Sequence, residues 1–289
     1  MQANIENGSR RRKLAVHRSL PTNYVELHAR SAFSFLEGAA TPEELVAVCA
    51  ELKMPSMALL DRDGLYGVAR FHLAGKKLGV KAHIGAEITV QSPKSKAQSP
   101  TRDKQTLNAR VTSIPLLVRN RSGYQNLCRL ITMMKLRVPK HAKPGECAVT
   151  PDELAAHAEG LICLTGGDEG PLKEIHRPGA ENAEAAQRTA GWLIDVFGKG
   201  NVYAEIQRHF NREEEARNHA VIEIARNLKL PLLATNGVAY ATRGQRQVAD
   251  VFTCIRNHVR LETAGRLLAS NSERFVKSPA EMAQLFADL

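Results

Sequence analysis

Short apolar runs alternate with amphipathic stretches along most of the 289-residue chain. The runs have the length and β-branched character of strands, and they lie at 24–28, 56–60, 80–90, 114–118, 161–165, 202–207 and 231–235. Between them, apolar residues recur with helical spacing at 42–53, 65–78, 123–136, 151–158, 180–197 and 211–229. The pattern therefore predicts an α/β protein with seven strands.

Two of the predicted helices have strong start signals. The tetrapeptides TPEE at 41–44 and TPDE at 150–153 each place threonine at the N-cap, proline at the first helical position and glutamate at the third. This is the capping-box arrangement, in which cap and glutamate satisfy each other's backbone N–H groups. We therefore expect helices to begin at Pro42 and Pro151.

Strands that alternate with helices predict a parallel sheet with right-handed crossovers. Seven such units favour a closed β/α barrel over an open sheet, and in barrels the chemistry lies where strands end and loops begin. The polar residues at the predicted strand ends are His28, Asp61, Glu87, Asn120, Thr165, His209 and Asn236.

Composition indicates a globular protein of the cytoplasm. No apolar run approaches the ~18 residues that a membrane span needs, and the N-terminus lacks the apolar segment of a secretory signal. The five cysteines are scattered without a C-x-x-C pair. This predicts reduced thiols, with no disulfide framework, no zinc knuckle and no membrane partner.

Positive charge is concentrated in two segments. Residues 1–20 hold five basic residues against one acidic residue, and residues 91–110 hold the same balance, out of a net charge of +10. Such segments are either solvated tail and loop or a weak, sequence-independent attraction for DNA phosphates. The DNA-binding candidates are Arg10, Arg11, Arg12, Lys13, Lys94 and Lys96.

Motifs of other chemistries are missing: there is no G-x-S-x-G, no P-loop and no G-x-G-x-x-G. The glycines of LTGGDEGPL (164–172) fit a tight turn better than a phosphate cradle. A hydrolytic metal cluster needs imidazoles and carboxylates from several strand ends. The candidates are His28, Glu37, Asp61, Glu87 and His209, each of which has an ordinary hydrogen-bonding role as its alternative.

Six ordered blocks resemble one known family. They are LHARSAFSFLEGAATPEELV, MALLDRDGLYGVARFHLAGKKLGVKAHIGAEI, LLVRNRSGYQNLCRLI, EGLICLTGGDEGPL, LLATNGVAYATRGQRQVADVFTCIR and NSERFVKSPAEM. Together they resemble the N-terminal PHP (polymerase and histidinol phosphatase) domain of bacterial C-family DNA polymerases, nearest to the error-prone α-like subunit of damage tolerance. The resemblance covers residues 22–289 and implies a distorted, seven-stranded, TIM-like β/α barrel.

The resemblance also implies a metal site that this chain matches unevenly. His28, Asp61, Glu87 and His209 fill positions of the family's ligand pattern, and Glu37 stands where the family often has aspartate. Other ligand positions are lost: these are Arg30, Arg62, Gly237 and Ala239, with another expected histidine falling at Ser113 or Ile114.

Arginine stays protonated and repels cations. We therefore predict that Arg30 and Arg62 form ion pairs with Glu37, Asp61 or Glu87 in place of a metal cluster. No cofactor is expected; Zn²⁺, Mn²⁺ or Mg²⁺ are the ions that a residual site would hold, through the vestigial ligands.

The expected organisation is a basic tail at 1–21, a barrel at 22–243 with a mobile loop at 91–110, and the helical start of a connection to a polymerase domain at 244–289. The expected role is structural, without polymerase activity in this chain alone. The alternative is a metal-dependent phosphoesterase or 3′–5′ exonuclease. Expected partners are a polymerase domain of the same gene or a separate chain, replication or damage-tolerance proteins, and DNA. A truncated product, a split subunit and an expressed fragment all fit the sequence.

Overall fold

The computed structural model describes residues 24–91, 111–139, 147–176 and 180–289. Its centre is one sheet whose seven strands follow each other in sequence order. The strands are β1 (Glu26–Ala29), β2 (Ser56–Arg62), β3 (Lys81–Gln91), β4 (Val111–Val118), β5 (Leu161–Leu164), β6 (Val202–Ile206) and β7 (Leu232–Ala234). The predicted number of strands is therefore confirmed.

Helices lie between most of the strands and after the last one. They are α1 (Pro42–Glu51), α2 (Val68–Leu78), α3 (Arg121–Leu136), α4 (Pro151–Ala156), α5 (Ala180–Phe197), α6 (Arg212–Leu228), α7 (Arg246–Asn257) and α8 (Pro279–Leu285). The two predicted capping boxes are present, with Thr41 and Thr150 as the N-caps of α1 and α4. Ser278 caps α8 in the same way.

The prediction of a parallel sheet is wrong for one strand. Strands β1 to β3 are parallel, as are β5 to β7, but β4 runs antiparallel to both of its neighbours. An antiparallel neighbour needs no helical crossover, and residues 92–110, which connect β3 to β4, lie outside the described part. Reversal of β4 also corrects one site prediction, because Asn120 now follows the opposite end of the barrel.

The barrel closes through the segment that follows β7. Ala29 of β1 forms a parallel bridge with Val238, in which the Val238 N–H donates to His28 O (2.9 Å) and the Arg30 N–H donates to Val238 O (2.8 Å). The two edges of the sheet therefore meet, and the predicted distorted, seven-stranded β/α barrel is confirmed. Closure brings the loops after β1, β6 and β7 to the same mouth of the barrel.

Apolar packing lies mostly outside the sheet, under the helices. One core cluster joins strands β3 to β6 to helices α3, α5 and α6, and a second joins β1 and β2 to α1 and α2. The opposite face of the strands, inside the barrel, holds a small apolar cluster around Leu60 and Leu164 and the buried ionisable residues Glu26, His28, Glu87 and Glu205. Because buried charges are tolerated only when paired and hydrogen-bonded, this interior is where the candidate site has to be sought.

The chain after β7 folds back over the barrel rim. The side chain of Asn236 donates to Glu273 O (2.8 Å) and Phe275 O (2.7 Å) and accepts from Lys277 Nζ (2.9 Å). Residues 244–289 contain α7, α8 and short 3₁₀ turns, and the proposed division into tail, barrel and connection stays a prediction. Among the described residues, no helix is both long and apolar enough to cross a bilayer.

Candidate functional site

The candidate site is a cluster of charged side chains at the barrel mouth, where the parallel strands end. His28 comes from the end of β1, Arg62 from the end of β2 and Glu87 from β3. Arg30 and Glu37 follow β1, and Glu205 lies in β6. Parallel strands deliver these residues to one end because their carboxyl ends meet there.

His28 forms the floor of the cluster. Its Nδ1 contacts Glu205 Oε1 (2.6 Å) and its Nε2 contacts Glu87 Oε1 (2.8 Å), while only 5% of the residue is exposed. Burial disfavours the charged ring, but the two carboxylates outweigh it and raise the pKa of His28 to about 10. His28 is therefore an imidazolium that donates to a carboxylate on each side.

Glu87 is the most heavily bonded acid of the cluster. Arg30 contacts it in the bidentate manner, from Nε to Oε1 and from Nη2 to Oε2 (2.8 Å). The hydroxyl of Ser113 also donates to Oε2 (2.8 Å). Burial alone would raise the pKa of Glu87, but Arg30, Arg62 and His28 hold it well below its usual value. The neighbouring cations thus favour the charged carboxylate, and donors occupy both of its oxygens.

Arg62 extends the cluster toward solvent. Its Nε donates to Glu37 Oε2 (3.2 Å), and its Nη2 contacts Glu169 Oε2 (2.5 Å) and lies 3.4 Å from Glu87 Oε2. Arg30 also pairs with Glu37 and Glu169. The predicted ion pairs of the two arginines with Glu37 and Glu87 are therefore present.

Asp61 does not have the role of metal ligand or ion-pair partner that the sequence suggested. Its carboxylate accepts hydrogen bonds from the Ser31 N–H (2.9 Å), the Ser31 hydroxyl (2.9 Å) and the Ser34 hydroxyl (2.8 Å). These donors belong to the loop that follows β1, which also carries Arg30 and Glu37. Asp61 therefore orders the loop that positions the ion pairs.

His209 is not brought together with His28. Its Nδ1 contacts Glu214 Oε1 (2.6 Å), and its Nε2 donates to the carbonyl of Asn236 (2.8 Å). Both ring nitrogens are therefore engaged in tying the end of β6 to α6 and to the segment after β7. Gly237 has φ +52°, a conformation that residues with a side chain rarely adopt, and a Cβ there would lie 2.7 Å from Gln207 Oε1, so that Gln207 would have to move.

The remaining predicted positions contribute backbone or support. Ala239 presents only its peptide groups, which bond to Arg274 O and to the Ala39 N–H. The hydroxyl of Thr165 accepts from the Glu205 N–H (2.9 Å). The candidates Arg10, Arg11, Arg12, Lys13, Lys94 and Lys96 lie outside the described residues.

Three charged residues of the site escaped prediction from the sequence. Asp168 and Glu169 lie in LTGGDEGPL, which does form the expected tight turn, with Gly166 at φ +70°. Glu169 bonds to both arginines, and Asp168 pairs with Arg274 (2.7 Å), which lowers the pKa of Asp168. The third is Glu205. An acid inside the otherwise apolar run VYAEI was a usable signal, since strands alternate faces and a buried acid needs a partner.

The cluster does not fit the metal that the family pattern implies. Both nitrogens of His28 and both oxygens of Glu87 are already bonded, and two guanidinium groups lie among the carboxylates. Glu205 Oε2 and Gln207 Oε1 are buried without partners, but two oxygens are fewer than the four ligands of a typical zinc site. Within the described ranges, no group of three or more histidine, cysteine or acidic residues is placed to hold an ion.

Space at the centre is also small. The cavity lined by His28, Arg30, Glu87, Gln207 and Gly237 has a volume of about 10 Å³, which is about the room that one water molecule needs. A phosphodiester cannot reach His28 or Glu87 through it. The geometry therefore favours a packed ion-pair network over a substrate site.

Comparison with known proteins points to the same family. The family model described as "PHP domain" matches residues 26–209. An error-prone DNA polymerase from Anaeromyxobacter sp. (strain K) is 35% identical over 270 residues, which are 92% of this chain and 21% of that protein. A DNA polymerase III subunit alpha from Borreliella burgdorferi is 29% identical over 271 residues, or 94% of this chain and 23% of that protein.

Among solved structures, a protein from Bifidobacterium adolescentis described as a metal-dependent phosphoesterase superposes with a TM-score of 0.44 and 12% identity. The superposition covers 74% of this chain and 86% of that one. The present chain spans between a fifth and a quarter of the length of the two polymerase relatives.

Proposed function

The chain belongs to the PHP domain family, and from this premise we propose that it is the structural, non-catalytic PHP module of an error-prone polymerase. Its similarity to error-prone DNA polymerases and DNA polymerase III α subunits extends over more than nine-tenths of the chain. Most of each relative lies outside the matched part. In this proposal, polymerisation belongs to the part of such a protein that this chain does not cover.

One observation carries the structural role: arginines stand where the family pattern expects metal ligands. Arg30 binds Glu87 through two nitrogens, and Arg62 binds Glu37 and Glu169. A guanidinium group stays charged at every relevant pH, so it supplies the positive charge that a metal ion would otherwise give to these carboxylates. It offers neither a Lewis acid nor an activated water.

Partners follow from the relatives. The proposed partners are the polymerase portion, as part of one polypeptide or as a separate chain, and other replication or damage-tolerance proteins. DNA contact through the basic segments 1–20 and 91–110 is part of the same proposal. Such contact would weaken steeply with salt, because it releases counterions from the phosphate backbone.

The decisive experiment measures hydrolysis by the purified chain. Bis(4-nitrophenyl) phosphate and a 3′-labelled single-stranded oligonucleotide are incubated with Mn²⁺, Zn²⁺ or Mg²⁺, and we expect no turnover above the protein-free rate. Turnover that disappears in His28→Ala and persists in His219→Ala would instead establish the phosphoesterase or exonuclease. His219 is the matched control because it lies on the exposed side of α6, with a side chain 74% accessible.

A second measurement addresses the metal directly. After dialysis, elemental analysis of the purified chain should find far less than one Zn²⁺, Mn²⁺ or Mg²⁺ per molecule. A stoichiometric ion that survives dialysis and is lost in Glu87→Gln would contradict the proposal, since it would show that the arginines leave the carboxylates available.

A further inference from the structure

Helix α7 exposes an apolar face that the barrel does not cover. Val248, Val251 and Ile255 are 42%, 47% and 52% exposed, and their spacing of three and four residues places them on one side of the helix. A surface helix normally turns such a stripe toward the core. On α7 the only buried residue is Cys254.

Two further aliphatic side chains are exposed in the segment that follows α7. Leu261 and Leu267, in short 3₁₀ turns, are each 51% exposed. Arg246 Nη2 donates to Ala269 O (2.6 Å), so the two ends of residues 246–269 are held together as one excursion. We call this excursion the rim segment. Three of the five exposed aliphatic side chains of the rim segment share one face of α7, and an exposed apolar patch of this kind is typical of a protein interface.

The rim segment is fastened to the barrel mouth at both sides. Gln245, just before it, donates to Glu44 Oε1 of α1 (3.1 Å). Just after it, Ser270 Oγ donates to Asn211 Oδ1 (2.8 Å) and Asn271 Nδ2 contacts His209 O (2.5 Å). A helix fixed in this way presents its stripe without a large loss of conformational entropy on binding.

The chemistry of the surface selects its partner. The exposed apolar side chains of α7 are all aliphatic, which suits the apolar face of another helix. Residues 246–268 contain four arginines and two acids, a net charge of +2. The complementary partner is therefore an apolar helix face with acidic residues at its edges.

Resting on the proposed function, we propose that the rim segment docks an acidic, amphipathic helix of the polymerase portion. The relatives are at least four times longer than their matched parts, so in such a protein a large folded mass lies next to this module. Docking through α7 would join that mass to the barrel mouth on which the ion-pair cluster stands.

Hydrogen exchange tests this docking in an intact polypeptide. A chimaera is made in which this chain replaces the matching segment of the Anaeromyxobacter error-prone DNA polymerase, and amide exchange in α7 is compared with that in the chain alone. We expect exchange in 246–257 to slow by about tenfold or more. Val251→Asp/Ile255→Asp should restore the fast exchange, whereas Leu136→Asp, at an exposed leucine of α3, should not.

Equal exchange of α7 in the chimaera and in the isolated chain would overturn the docking proposal. So would concentration-dependent protection in the isolated chain, because a second copy would then occupy the stripe. Primer extension by the chimaera tests the proposed function separately. If the folded chimaera extends primers but α7 is not protected, the proposed function stands and the docking proposal is rejected.

A binding assay keeps the proposal testable if the chimaera fails to fold. The probe is a fluorescent 16-residue peptide with leucines at helical spacing and glutamates elsewhere, titrated with the chain alone. The dissociation constant should rise about tenfold or more in Val251→Asp/Ile255→Asp and stay unchanged in Leu136→Asp. Equal affinity in all three proteins would contradict the assigned surface.

Discussion

At the scale of single residues, Arg30 determines the character of the site. It bonds Glu87 in the bidentate manner and also contacts Glu37 and Glu169. The planar guanidinium group matches a carboxylate edge to edge, which a lysine cannot do. Because Glu87 is only 1% exposed, the loss of this partner would leave a buried charge with too few donors.

We therefore expect Arg30→Leu to lower the free energy of unfolding by roughly 3 kcal/mol, the usual cost of breaking a buried pair. Arg30→Lys should lose less, because it keeps the charge and only part of the geometry. Urea denaturation followed by circular dichroism measures both. As a matched control, Arg188→Ala removes an exposed pair with Glu184 and should cost less than about 1 kcal/mol. An equal loss of unfolding free energy in Arg30→Leu and Arg188→Ala would show that water replaces Arg30 as the hydrogen-bond donor to Glu87.

His28 gives the site a pH signature. Its pKa is about 10 in the folded chain against about 6.5 in an unfolded one. The folded state therefore holds the proton more tightly. The stabilising contribution is complete below pH 6.5 and is lost as the pH rises toward 10.

Between pH 6.5 and 10 the unfolding free energy should fall by up to about 1.4 kcal/mol per pH unit. Denaturation of the parent chain and of His28→Gln across this range separates the His28 contribution, because the variant cannot carry the imidazolium. The pKa of Glu26, which burial raises to about 6, lies below the window. Parallel pH profiles for the two proteins would exclude an imidazolium at His28.

At the scale of elements, the end of β7 fastens the C-terminal part of the chain to the barrel. Asn236 is fully buried, and its amide side chain makes three hydrogen bonds to residues between Glu273 and Lys277. Its N–H also donates to Glu26 Oε2 (2.9 Å) inside the barrel. One residue thus connects the barrel interior to residues 273–277, which precede α8 and which we call the strap.

Asn236→Ala should destabilise this strap, because two buried carbonyls and the Lys277 ammonium lose a partner. We expect a loss of about 2–4 kcal/mol in unfolding free energy and faster amide exchange in residues 273–277. Asn257→Ala is the control, since the amide of Asn257 makes one exposed bond to Thr253 O within α7. Unchanged exchange at 273–277 would mean that Lys277 and the backbone hold the strap without Asn236.

At the scale of the whole molecule, the proposed function implies that residues of the chain itself, and not a bound ion, stabilise the barrel mouth. An ion that binds only the folded state raises stability by RT ln(1 + [L]/Kd). Where arginines already occupy the carboxylates, this linkage disappears. The fold of this chain should accordingly be independent of divalent metal.

The melting temperature should therefore be the same, within about 1 °C, in excess EDTA and in millimolar Mn²⁺ or Zn²⁺, because by that linkage relation a non-binding ion adds nothing. Scanning calorimetry provides the measurement. Arg30→His/Arg62→His, which puts imidazoles back at the two positions, is the informative comparison. A metal-dependent rise in melting temperature for the parent chain, and not only for this variant, would contradict an ion-independent fold.

The sequence by itself determined the seven strands and the helix starts at Pro42 and Pro151. For Arg30 and Arg62 it predicted ion pairs, but it left Glu37, Asp61 and Glu87 open as their partners. These follow from periodicity, capping chemistry and the fixed charge of arginine, all of which act over short stretches or are intrinsic to a residue type. Family resemblance added the expectation of a metal site against which the arginines could be recognised.

Only the tertiary structure decided the rest. Strand β4 runs antiparallel to its neighbours, which places Asn120 away from the mouth of the barrel. Barrel closure brings Glu205 next to His28 and Glu169 next to both arginines. His209 contacts Glu214 and does not lie beside His28. These contacts join residues that are far apart in the chain, up to 177 positions for His28 and Glu205. Such contacts depend on strand direction and on barrel closure, and neither can be derived from the local sequence pattern.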